Sequence, residues 1–333
     1  MAEMRFDVVG LGNAIVDVIA RAEDDLLARE KLNKGSMALI DEARATQLYA
    51  AMGPATIISG GSAANTIVGV SSFGVRAAFI GKVRNDEAGK AFSHDIRSIG
   101  VHFATAPAED GPATARCLVL VTPDGERTMS TYLGACQNLT PEDVDADLIR
   151  ASGITYLEGY LWDPPAAKKA FVKAAEIAHG AGRNVALTLS DSFCVDRYRD
   201  EFLDLIKNGT LDIVFANQHE LKALYQTSDL QTAIDALRAE NILGVVTCSA
   251  DGSIVVTREE THTVPAFPIE KLIDTTGAGD LFAAGFLAGL ARGYDYVTCA
   301  RLGALAASEV IQHVGARPQV RLADLARDAG IDI

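Results

Sequence analysis

Residues 274–280 (DTTGAGD) have the composition of a loop that binds an anion and presents one carboxylate to it. An apolar run follows over residues 281–290. We predict a tight loop that opens a buried helix, because Gly277 and Gly279 can adopt backbone dihedral angles closed to other residues. The free N–H groups of a first helical turn point into such a loop and attract phosphate.

Asp280 is the unexpected residue in this loop, since a carboxylate repels phosphate. One interpretation is a helix cap, a position where aspartate is common. The other is a catalytic base that accepts the proton of a hydroxyl group attacking the phosphate. The residue type and its position are compatible with both interpretations.

A second group of small and polar residues lies in the N-terminal part of the chain. Asn13 and Asp17 follow a predicted buried strand over residues 5–11, and Gly60 and Gly61 precede a predicted helix. The double glycine allows the backbone to approach a ligand closely. Asn13 and Asp17 are either a turn residue and a solvent-facing charge, or ligands of the hydroxyl groups of a sugar.

The glycines near the first strand do not form a dinucleotide-binding fingerprint. Gly10 and Gly12 have the spacing of its first two glycines, but Ile15 stands in place of the third. The following residues also continue as a strand, whereas the fingerprint requires a helix there. A dinucleotide-dependent oxidoreductase is therefore disfavoured.

The composition excludes several classes of partner. The chain has 333 residues, 49% of them hydrophobic, and a net charge of -14 at pH 7. A sizeable core is possible, and the acidic surface argues against nucleic acid or an anionic membrane. Five scattered cysteines without a CxxC pair, and the lack of a signal peptide or a stretch of transmembrane length, predict a reduced cytoplasmic protein.

Strands and helices alternate in the C-terminal part of the chain. Predicted strands cover residues 154–157, 185–189, 213–216, 244–248 and 253–257, with helices near 164–180, 196–207, 218–225 and 229–240. Such alternation predicts an α/β fold with a doubly wound, mostly parallel sheet and helices on both faces. Ligands bind such sheets at the carboxyl ends of the strands. We expect the last two strands to form a hairpin at the sheet edge.

Residues 16–61 and 101–133 are rich in β-structure and have no role in the predicted parallel sheet. They include a hairpin with a turn at residues 123–126. We group both segments as a small β-rich lid domain and assign residues 1–15, 62–100 and 134–333 to an α/β core domain. Arg127 lies just past the hairpin turn, where a solvated charge is the simplest interpretation.

The two glycine-rich segments resemble the two signatures of the PfkB, or ribokinase-like, family of carbohydrate and nucleoside kinases. Residues 56–65 match the first signature and residues 274–280 the second, in the right order and roughly two hundred residues apart. The resemblance implies a ribokinase-like fold and ATP-dependent phosphoryl transfer. The catalytic residues that it implies are the base Asp280, the anion-hole residues Gly277, Ala278 and Gly279, and the phosphate ligand Arg127.

The same resemblance implies a nucleotide site. Residues 217–220 (NQHE) resemble the family's Asn-x-x-Glu motif, which implies that Asn217 and Glu220 organise Mg²⁺ and phosphate, with Glu220 holding the metal through water. A monovalent cation is a further option. Residues 247–252 resemble the family's Thr-x-Gly-x-x-Gly loop, although Ser249 stands at the first glycine. The other ATP contacts implied are Thr247, Ser249 and Gly252, and Ala307 and Ile311 on an apolar helix over residues 302–311.

Within the family, the chain most resembles the members that phosphorylate adenosine, and the resemblance runs nearly end to end. Further matches lie at residues 12–17, 156–160 and 189–193. Leu161 departs from the animal enzymes, which have an aromatic ring there; either Tyr160 or Trp162 compensates, or the preference for the base is looser. The substrate contacts implied are Asn13, Asp17, Gly60, Gly61 and Asn65 for the ribose, and Met37, Met129, Leu161 and Phe193 for the base.

The leading hypothesis is transfer of the γ-phosphoryl group of ATP to the 5′-hydroxyl of a ribonucleoside, with adenosine giving AMP in purine salvage. The alternative is a kinase of free ribose, fructose or a related sugar, which would not need the apolar base pocket. A non-catalytic nucleoside-binding protein is disfavoured, because binding alone gains nothing from Asp280. Monomer and homodimer both stay open.

Overall fold

Two β-sheets organise the chain in the computed structural model, which describes residues 3–333. The fourteen strands of this part are β1 (Phe6–Leu11), β2 (Ile15–Arg21), β3 (Met37–Leu39), β4 (Ala55–Gly60), β5 (Ala77–Ile80), β6 (His102–Phe103), β7 (Ala115–Val121), β8 (Arg127–Tyr132), β9 (Ser152–Glu158), β10 (Asn184–Thr188), β11 (Ile213–Asn217), β12 (Leu243–Thr247), β13 (Ser253–Val256) and β14 (Thr261–Val264). Its twelve α-helices are α1 (Asp24–Arg29), α2 (Glu42–Ala51), α3 (Ser62–Ser72), α4 (Glu87–Ser98), α5 (Ala146–Arg150), α6 (Pro165–Gly180), α7 (Ser192–Lys207), α8 (Gln218–Leu224), α9 (Leu230–Ala239), α10 (Ala278–Ala291), α11 (Tyr296–Val310) and α12 (Leu322–Asp328).

The larger sheet has nine strands in the order β14-β13-β12-β11-β10-β9-β1-β5-β6. Neighbours from β12 to β6 run parallel, whereas β13 and β14 are antiparallel additions at one edge. The successive residues Val8 and Val9 of β1 are both fully buried, but they belong to hydrophobic clusters on opposite faces. Burial on both faces gives the continuous apolar strands that parallel sheets covered by helices require. The predicted doubly wound α/β sheet is confirmed.

Helix α10, which carries Asp280, is held between α3 and α11 by close backbone packing. A Cβ atom added to Gly285 would lie 2.3 Å from the carbonyl oxygen of Leu302 in α11. One added to Gly69 in α3 would lie 2.5 Å from the Cβ of Ala284. Glycine is needed for both approaches, and the three helices thereby fix the N-terminus of α10 beside that of α3.

The smaller sheet has five strands in the order β3-β8-β7-β2-β4. These strands come from residues 15–60 and 115–132, close to the segments that we grouped as a lid. One face packs against α1 and α2 through buried residues such as Val18, Leu27 and Leu48, and the other lines a cavity above the larger sheet. The division of the chain into a core domain and a lid domain stays a prediction.

Two short strands differ from the sequence prediction. Strand β6 lies within the segment assigned to the lid but pairs with β5 in the larger sheet. The predicted hairpin of β12 and β13 is present, but β14 lies beyond it and forms that edge of the sheet, so the predicted edge position of β13 is wrong. A search for apolar runs does not detect strand β14, because Val264 is its only buried residue.

Among the helices of the described chain, none combines the length and the apolar character that a membrane span requires.

Candidate active site

A cavity of about 830 Å³ lies between the two sheets. The larger sheet contributes residues at the carboxyl ends of its parallel strands, among them Glu158, Thr188 and Asn217. The smaller sheet contributes Asp17 and Met129 from the opposite side. Parallel α/β sheets bind ligands at this end of their strands, so the cavity is the candidate active site.

Asp280 lies on the cavity wall in the first turn of α10. Its carboxylate accepts hydrogen bonds from Ser62 Oγ at 2.7 Å and from Asn65 Nδ2 at 3.0 Å. Burial raises the pKa of Asp280, and the two hydrogen bonds and the charge of Arg317 offset this only in part. Gly277 occupies the N-cap position of α10, so helix capping does not account for Asp280.

The backbone before α10 forms the expected tight loop. Gly277 has a φ of 79°, and a Cβ atom there would lie 2.7 Å from the Cβ of Ala316, which only glycine tolerates. The N–H of Ala278 donates to the carbonyl oxygen of Thr275 at 3.2 Å. Gly279 is the second residue of the helix, so its backbone N–H has no carbonyl partner within the helix. All three predicted anion-hole residues line the cavity, and the N–H of Gly279 lies in the first helical turn, where an anion can bind.

Arg127 lies in the cavity wall and is only 9% exposed, so its interpretation as a solvated hairpin charge is wrong. Its Nη1 donates to the carboxylate of Asp274, which also accepts the N–H groups of Gly315 and Thr276 at 3.0 Å. Burial alone would raise the pKa of Asp274, but these hydrogen bonds and the charge of Arg127 outweigh it and lower the pKa. The pair therefore joins β8 of the smaller sheet to the loop before α10.

Asn13 and Asn65 each carry an unpaired acceptor at the cavity. The Nδ2 of Asn13 donates to Glu158 at 2.6 Å, and Glu158 also accepts the N–H groups of Asn13 and Ala63 at 3.3 and 2.8 Å. The Oδ1 atoms of Asn13 and Asn65 are buried without a hydrogen-bond partner among residues 3–333. Such atoms are rare in folded proteins. Two acceptor atoms are therefore available to a ligand that carries hydroxyl groups.

Asp17 on β2 faces the same cavity from the smaller sheet. Burial raises the pKa of Asp17 to about 6; the charges of Arg317 and Arg127 lower it, and that of Asp280 raises it. At neutral pH the carboxylate is therefore mostly ionised and acts only as an acceptor. The carboxylate of Asp17 and the Oδ1 atoms of Asn13 and Asn65 therefore give this part of the wall several hydrogen-bond acceptors.

The two adjacent glycines at the end of β4 have no side chain and so leave room for Asp17 and Asn13. A Cβ atom at Gly60 would lie 2.4 Å from Oδ2 of Asp17. One at Gly61, which has a φ of 99°, would lie 2.1 Å from the carbonyl oxygen of Asn13. Gly61 lines the cavity, whereas Gly60 is buried behind Asp17 and is not a lining residue. The lack of a side chain at Gly60 leaves room for the carboxylate of Asp17, and its contact to the ribose stays a prediction.

Three of the four predicted base-pocket residues, Met37, Met129 and Phe193, line the cavity. The fourth, Leu161, does not: its side chain is fully buried in the cluster beneath the larger sheet. Strand β9 continues directly into a short 3₁₀ turn, in which successive side chains point roughly a third of a turn apart. The turn directs Tyr160 to the cavity and Leu161 to the core, so that Tyr160 supplies an aromatic ring to the wall.

The predicted nucleotide contacts Asn217, Glu220 and Thr247 also line the cavity. Asn217 and Glu220 form a capping box at the start of α8: the side chain of Asn217 accepts the N–H of Glu220 at 2.9 Å, and Glu220 accepts the N–H of Asn217 at 2.9 Å. Burial raises the pKa of Glu220 to about 7. The motif therefore has a clear structural role besides any contact to a nucleotide.

The cavity is not lined by four other predicted contacts: Ser249, Gly252, Ala307 and Ile311. The turn after β12 packs against β14 instead, since a Cβ atom at Gly252 would lie 2.1 Å from the carbonyl oxygen of Val264. The carbonyl oxygen of Ile311 accepts the N–H groups of Ile273 and Asp274, which ties the end of α11 to the loop before α10. Contact of these four residues to ATP stays a prediction.

Glu220, the residue predicted to hold Mg²⁺ through water, lies on the cavity wall. Within residues 3–333, no three His, Cys, Asp or Glu side chains are grouped in a way that could hold a metal ion. Mg²⁺ commonly keeps several waters and needs only one or two carboxylates besides the phosphates of a substrate. Glu220 is one of several carboxylates on the wall and is 5% exposed, which is compatible with contact through water.

Arg317 is a site residue that the sequence analysis did not find. Its Nη2 donates to the carbonyl oxygen and the Oγ of Ser59 at 2.6 and 3.1 Å, and its Nη1 donates to the carbonyl oxygen of Ala64 at 3.3 Å. Burial lowers the pKa of Arg317 to about 10, against the raising effect of Asp17, Asp95 and Asp280. A cation therefore stands among the carboxylates and joins β4 to the helix that follows it.

Ser62 and Glu158 were also missed as functional residues. Ser62 belongs to the first glycine-rich segment, and its hydroxyl group bonds Asp280 across 218 positions of the chain. Glu158 is 1% exposed and is the only charged residue of β9, which is the signal that could have found it. Burial raises the pKa of Glu158 to about 7, while its hydrogen bonds from Ala63 and Asn13 lower it.

The fold and the cavity together define an α/β enzyme that transfers a phosphoryl group to a small molecule. The chain belongs to the pfkB family of carbohydrate kinases, which it matches over residues 45–321.

Several proteins are similar to the chain over almost its whole length. The structure of an adenosine kinase from Sinorhizobium meliloti is 54% identical, with a TM-score of 0.90 over 98% of this chain and 99% of that one. A probable sugar kinase from Rhizobium etli is 51% identical, with a TM-score of 0.91 over the same shares. The adenosine kinase of Saccharomyces cerevisiae is 27% identical over 94% of this chain and 96% of its own.

Proposed function

We propose that the protein is an adenosine kinase, which transfers the γ-phosphoryl group of ATP to the 5′-hydroxyl of adenosine. One observation carries the proposal: a single cavity joins a carboxylate beside a helix N-terminus to a wall of acceptors and an apolar wall. The carboxylate and the helix N-terminus suit phosphoryl transfer to a hydroxyl group. The wall of acceptors suits a ribose, and the apolar wall suits a purine base.

The acceptor wall is matched to the ribose. The carboxylate of Asp17 can accept hydrogen bonds from two neighbouring hydroxyl groups, such as the 2′ and 3′ hydroxyls. The unpaired Oδ1 atoms of Asn13 and Asn65 belong to residues that line the same cavity, and they can accept further hydrogen bonds. The apolar side chains of Met37, Met129 and Phe193 and the ring of Tyr160 then offer the base a surface that a free sugar would not use.

In the proposed reaction, the oxygen of the 5′-hydroxyl group forms a bond to the γ-phosphorus, and Asp280 accepts the proton of that hydroxyl group. The bond between that phosphorus and the bridging oxygen of ADP breaks. The equatorial oxygens gain charge in the transition state, and backbone N–H groups, the helix dipole and cationic side chains stabilise it. Here the N–H of Gly279 and the guanidinium of Arg127 would supply this stabilisation. The raised pKa of Asp280 suits a base at neutral pH.

ATP would occupy the part of the cavity lined by Asn217, Glu220 and Thr247. Bound Mg²⁺ would neutralise charge on the phosphate oxygens, held through water by Glu220, and a monovalent cation is a further option. The smaller sheet would act as the lid that excludes water from the phosphoryl group. The five cysteines are unpaired, which favours the cytoplasm, where the enzyme would serve purine salvage. Both monomer and homodimer are compatible with this proposal.

A substrate panel tests the proposal against the alternative of a sugar kinase, which the name of the Rhizobium etli structure favours. We expect kcat/KM to fall in the order adenosine, 2′-deoxyadenosine, ribose, because 2′-deoxyadenosine lacks one hydroxyl group and ribose lacks the base, whose apolar contacts we expect to contribute more. Loss of one hydroxyl group should cost about 1–3 kcal/mol, since it leaves a buried acceptor unpaired. Production of ADP measures the rate, and ³¹P NMR of the product identifies the phosphorylated position. Faster phosphorylation of ribose or fructose would establish the sugar kinase instead.

Asp17→Ala should narrow the difference in kcat/KM between adenosine and 2′-deoxyadenosine. The variant no longer accepts the hydrogen bond of the 2′-hydroxyl, so removal of that group from the substrate costs little further. Steady-state kinetics with both nucleosides measure the ratio. Asp25→Ala, which removes an exposed carboxylate from α1, serves as a control and should keep the parental ratio. If the ratio is unchanged in Asp17→Ala, Asp17 does not bind the 2′-hydroxyl group, and Asn13 or Asn65 is the next residue to test.

A further inference from the structure

A second cavity, of about 610 Å³, lies along the outer face of α4. We shall call it the α4 groove; its wall is formed by α4, by residues 83–85 before it and by residues 105–107 after it. It shares no residue with the candidate active site. We propose that the α4 groove binds the phosphate group of a small molecule, either free phosphate or a phosphate ester.

The groove carries a charge opposite to that of the whole protein. Its lining includes Arg84, Lys90, His94 and Arg97, and no aspartate or glutamate of the described chain lines it. The chain as a whole has 44 acidic and 30 basic residues. A wall with three permanent cations and no carboxylate departs strongly from this composition. Lys90, His94 and Arg97 follow one another at spacings of four and three residues, which places them on one face of α4.

The carboxylates near the groove bond to groups other than its arginines, and Glu109 accepts a hydrogen bond from Asn85 of the groove wall at 2.9 Å. Asp86 accepts the N–H of Gly89 at 2.8 Å and the hydroxyl group of Thr114 at 2.7 Å. Asp95, on the inner face of α4, accepts the N–H and the hydroxyl group of Ser59 at 2.7 and 2.6 Å. Glu87 pairs with Lys90 at the exposed surface, where an ion pair is weak and easily exchanged. Neither Arg84 nor Arg97 forms an ion pair with these carboxylates, although the charge of Arg84 interacts with Asp86.

Two guanidinium groups are available to a ligand. Within residues 3–333, neither Arg84 nor Arg97 forms an ion pair or uses its terminal nitrogens in a hydrogen bond. The Nε of Arg97 donates to the carbonyl oxygen of Phe103 at 2.8 Å, and its guanidinium lies 5.7 Å from the centroid of that ring. These contacts orient Arg97 and leave its two terminal nitrogens free. Fork-shaped guanidinium donors match the oxygens of phosphate.

The size and the surroundings of the groove indicate a small ligand. A nucleic acid would meet a protein with a net charge of -14, which repels an extended polyanion. A compact dianion experiences mainly the local cations. Hydroxyl groups of Ser93 and Thr105 line the groove as additional donors. The groove thus offers several donors to one tetrahedral anion.

The imidazole of His94 lies in the groove wall and can report binding there by NMR. Phosphate and glycerol 3-phosphate would be titrated separately into the parent protein at constant ionic strength, with His94→Gln identifying the signal. We expect a saturable shift with at least one of the two, and the ligand with the lower Kd distinguishes free phosphate from an ester. Neither ligand shifting this signal, or chloride shifting it equally, would overturn the proposal.

Variants locate the binding determinants. Arg84→Gln/Arg97→Gln should weaken binding at least tenfold, because both free guanidinium groups are lost. Arg150→Gln/Arg258→Gln removes the same charge from exposed positions outside the groove and should bind as the parent does. Arg84→Gln alone, which leaves the contacts of Arg97 to Phe103 intact, should also bind more weakly; it covers the case in which the double variant folds poorly. Parental binding by the folded Arg84→Gln and double variants would contradict the assignment.

Discussion

Asp280→Asn should lower kcat by roughly 10²–10⁴-fold, with little change in the KM for adenosine or ATP. The amide cannot accept the proton of the 5′-hydroxyl, but it has nearly the size of the carboxylate. It can keep the hydrogen bond from Ser62, and the amide of Asn65 can rotate to present its unpaired Oδ1 to the new N–H group. The geometry of the site should therefore survive while the base is lost.

The measurement is steady-state kinetics of purified protein, together with binding of each substrate by calorimetry. In the parent, the base must be ionised, so activity should rise as the pH increases through the raised pKa of Asp280. Asp280→Asn should lose this part of the pH profile. Asp324→Asn, on the exposed surface of α12, is the matched control and should keep the parental kcat. Turnover by Asp280→Asn within tenfold of the parent would show that Asp280 is not the base.

The larger sheet could be predicted because its signals are local. Alternation of apolar strands with helical segments specifies a parallel α/β sheet, and the buried neighbours Val8 and Val9 follow directly from cover on both faces. The same argument places the strand ends, and thus the cavity, at one side of the sheet. Strand β14 was missed since half-exposed residues at a sheet edge form no apolar run.

The interior of the site could be predicted only in part, because its contacts are long-range. The hydrogen bond between Asn65 and Asp280 spans 215 positions, and no spacing rule encodes it. The family resemblance assigns Leu161 to the cavity, but a 3₁₀ turn directs the neighbouring Tyr160 there, one of the two rings expected to compensate. Arg317 lies 258 positions from Ser59, and only the folded chain reveals that it stands among the carboxylates.

Arg317→Gln should shift the acid limb of the pH profile of kcat/KM to higher pH. The charge of Arg317 lowers the pKa of both Asp17 and Asp280. Without it, both carboxylates would stay protonated at higher pH, and a protonated carboxyl group neither accepts the substrate proton nor accepts hydrogen bonds as well. The variant should also be less stable by about 1–3 kcal/mol, because the buried carbonyl oxygen of Ser59 loses its donor.

The change in pH profile distinguishes an electrostatic role from a structural one, and Arg317→Lys provides the comparison. Lysine keeps the positive charge but cannot donate to Ser59 and Ala64 at once as the planar guanidinium does. We therefore expect Arg317→Lys to lose stability, measured by thermal unfolding, yet to keep the acid limb near its parental pH. If Arg317→Gln and Arg317→Lys lose stability alike and both keep the parental profile, Arg317 only holds the backbone of β4. A shift confined to Arg317→Gln would identify Arg317 as the cation that keeps the proposed base and the ribose-binding carboxylate ionised.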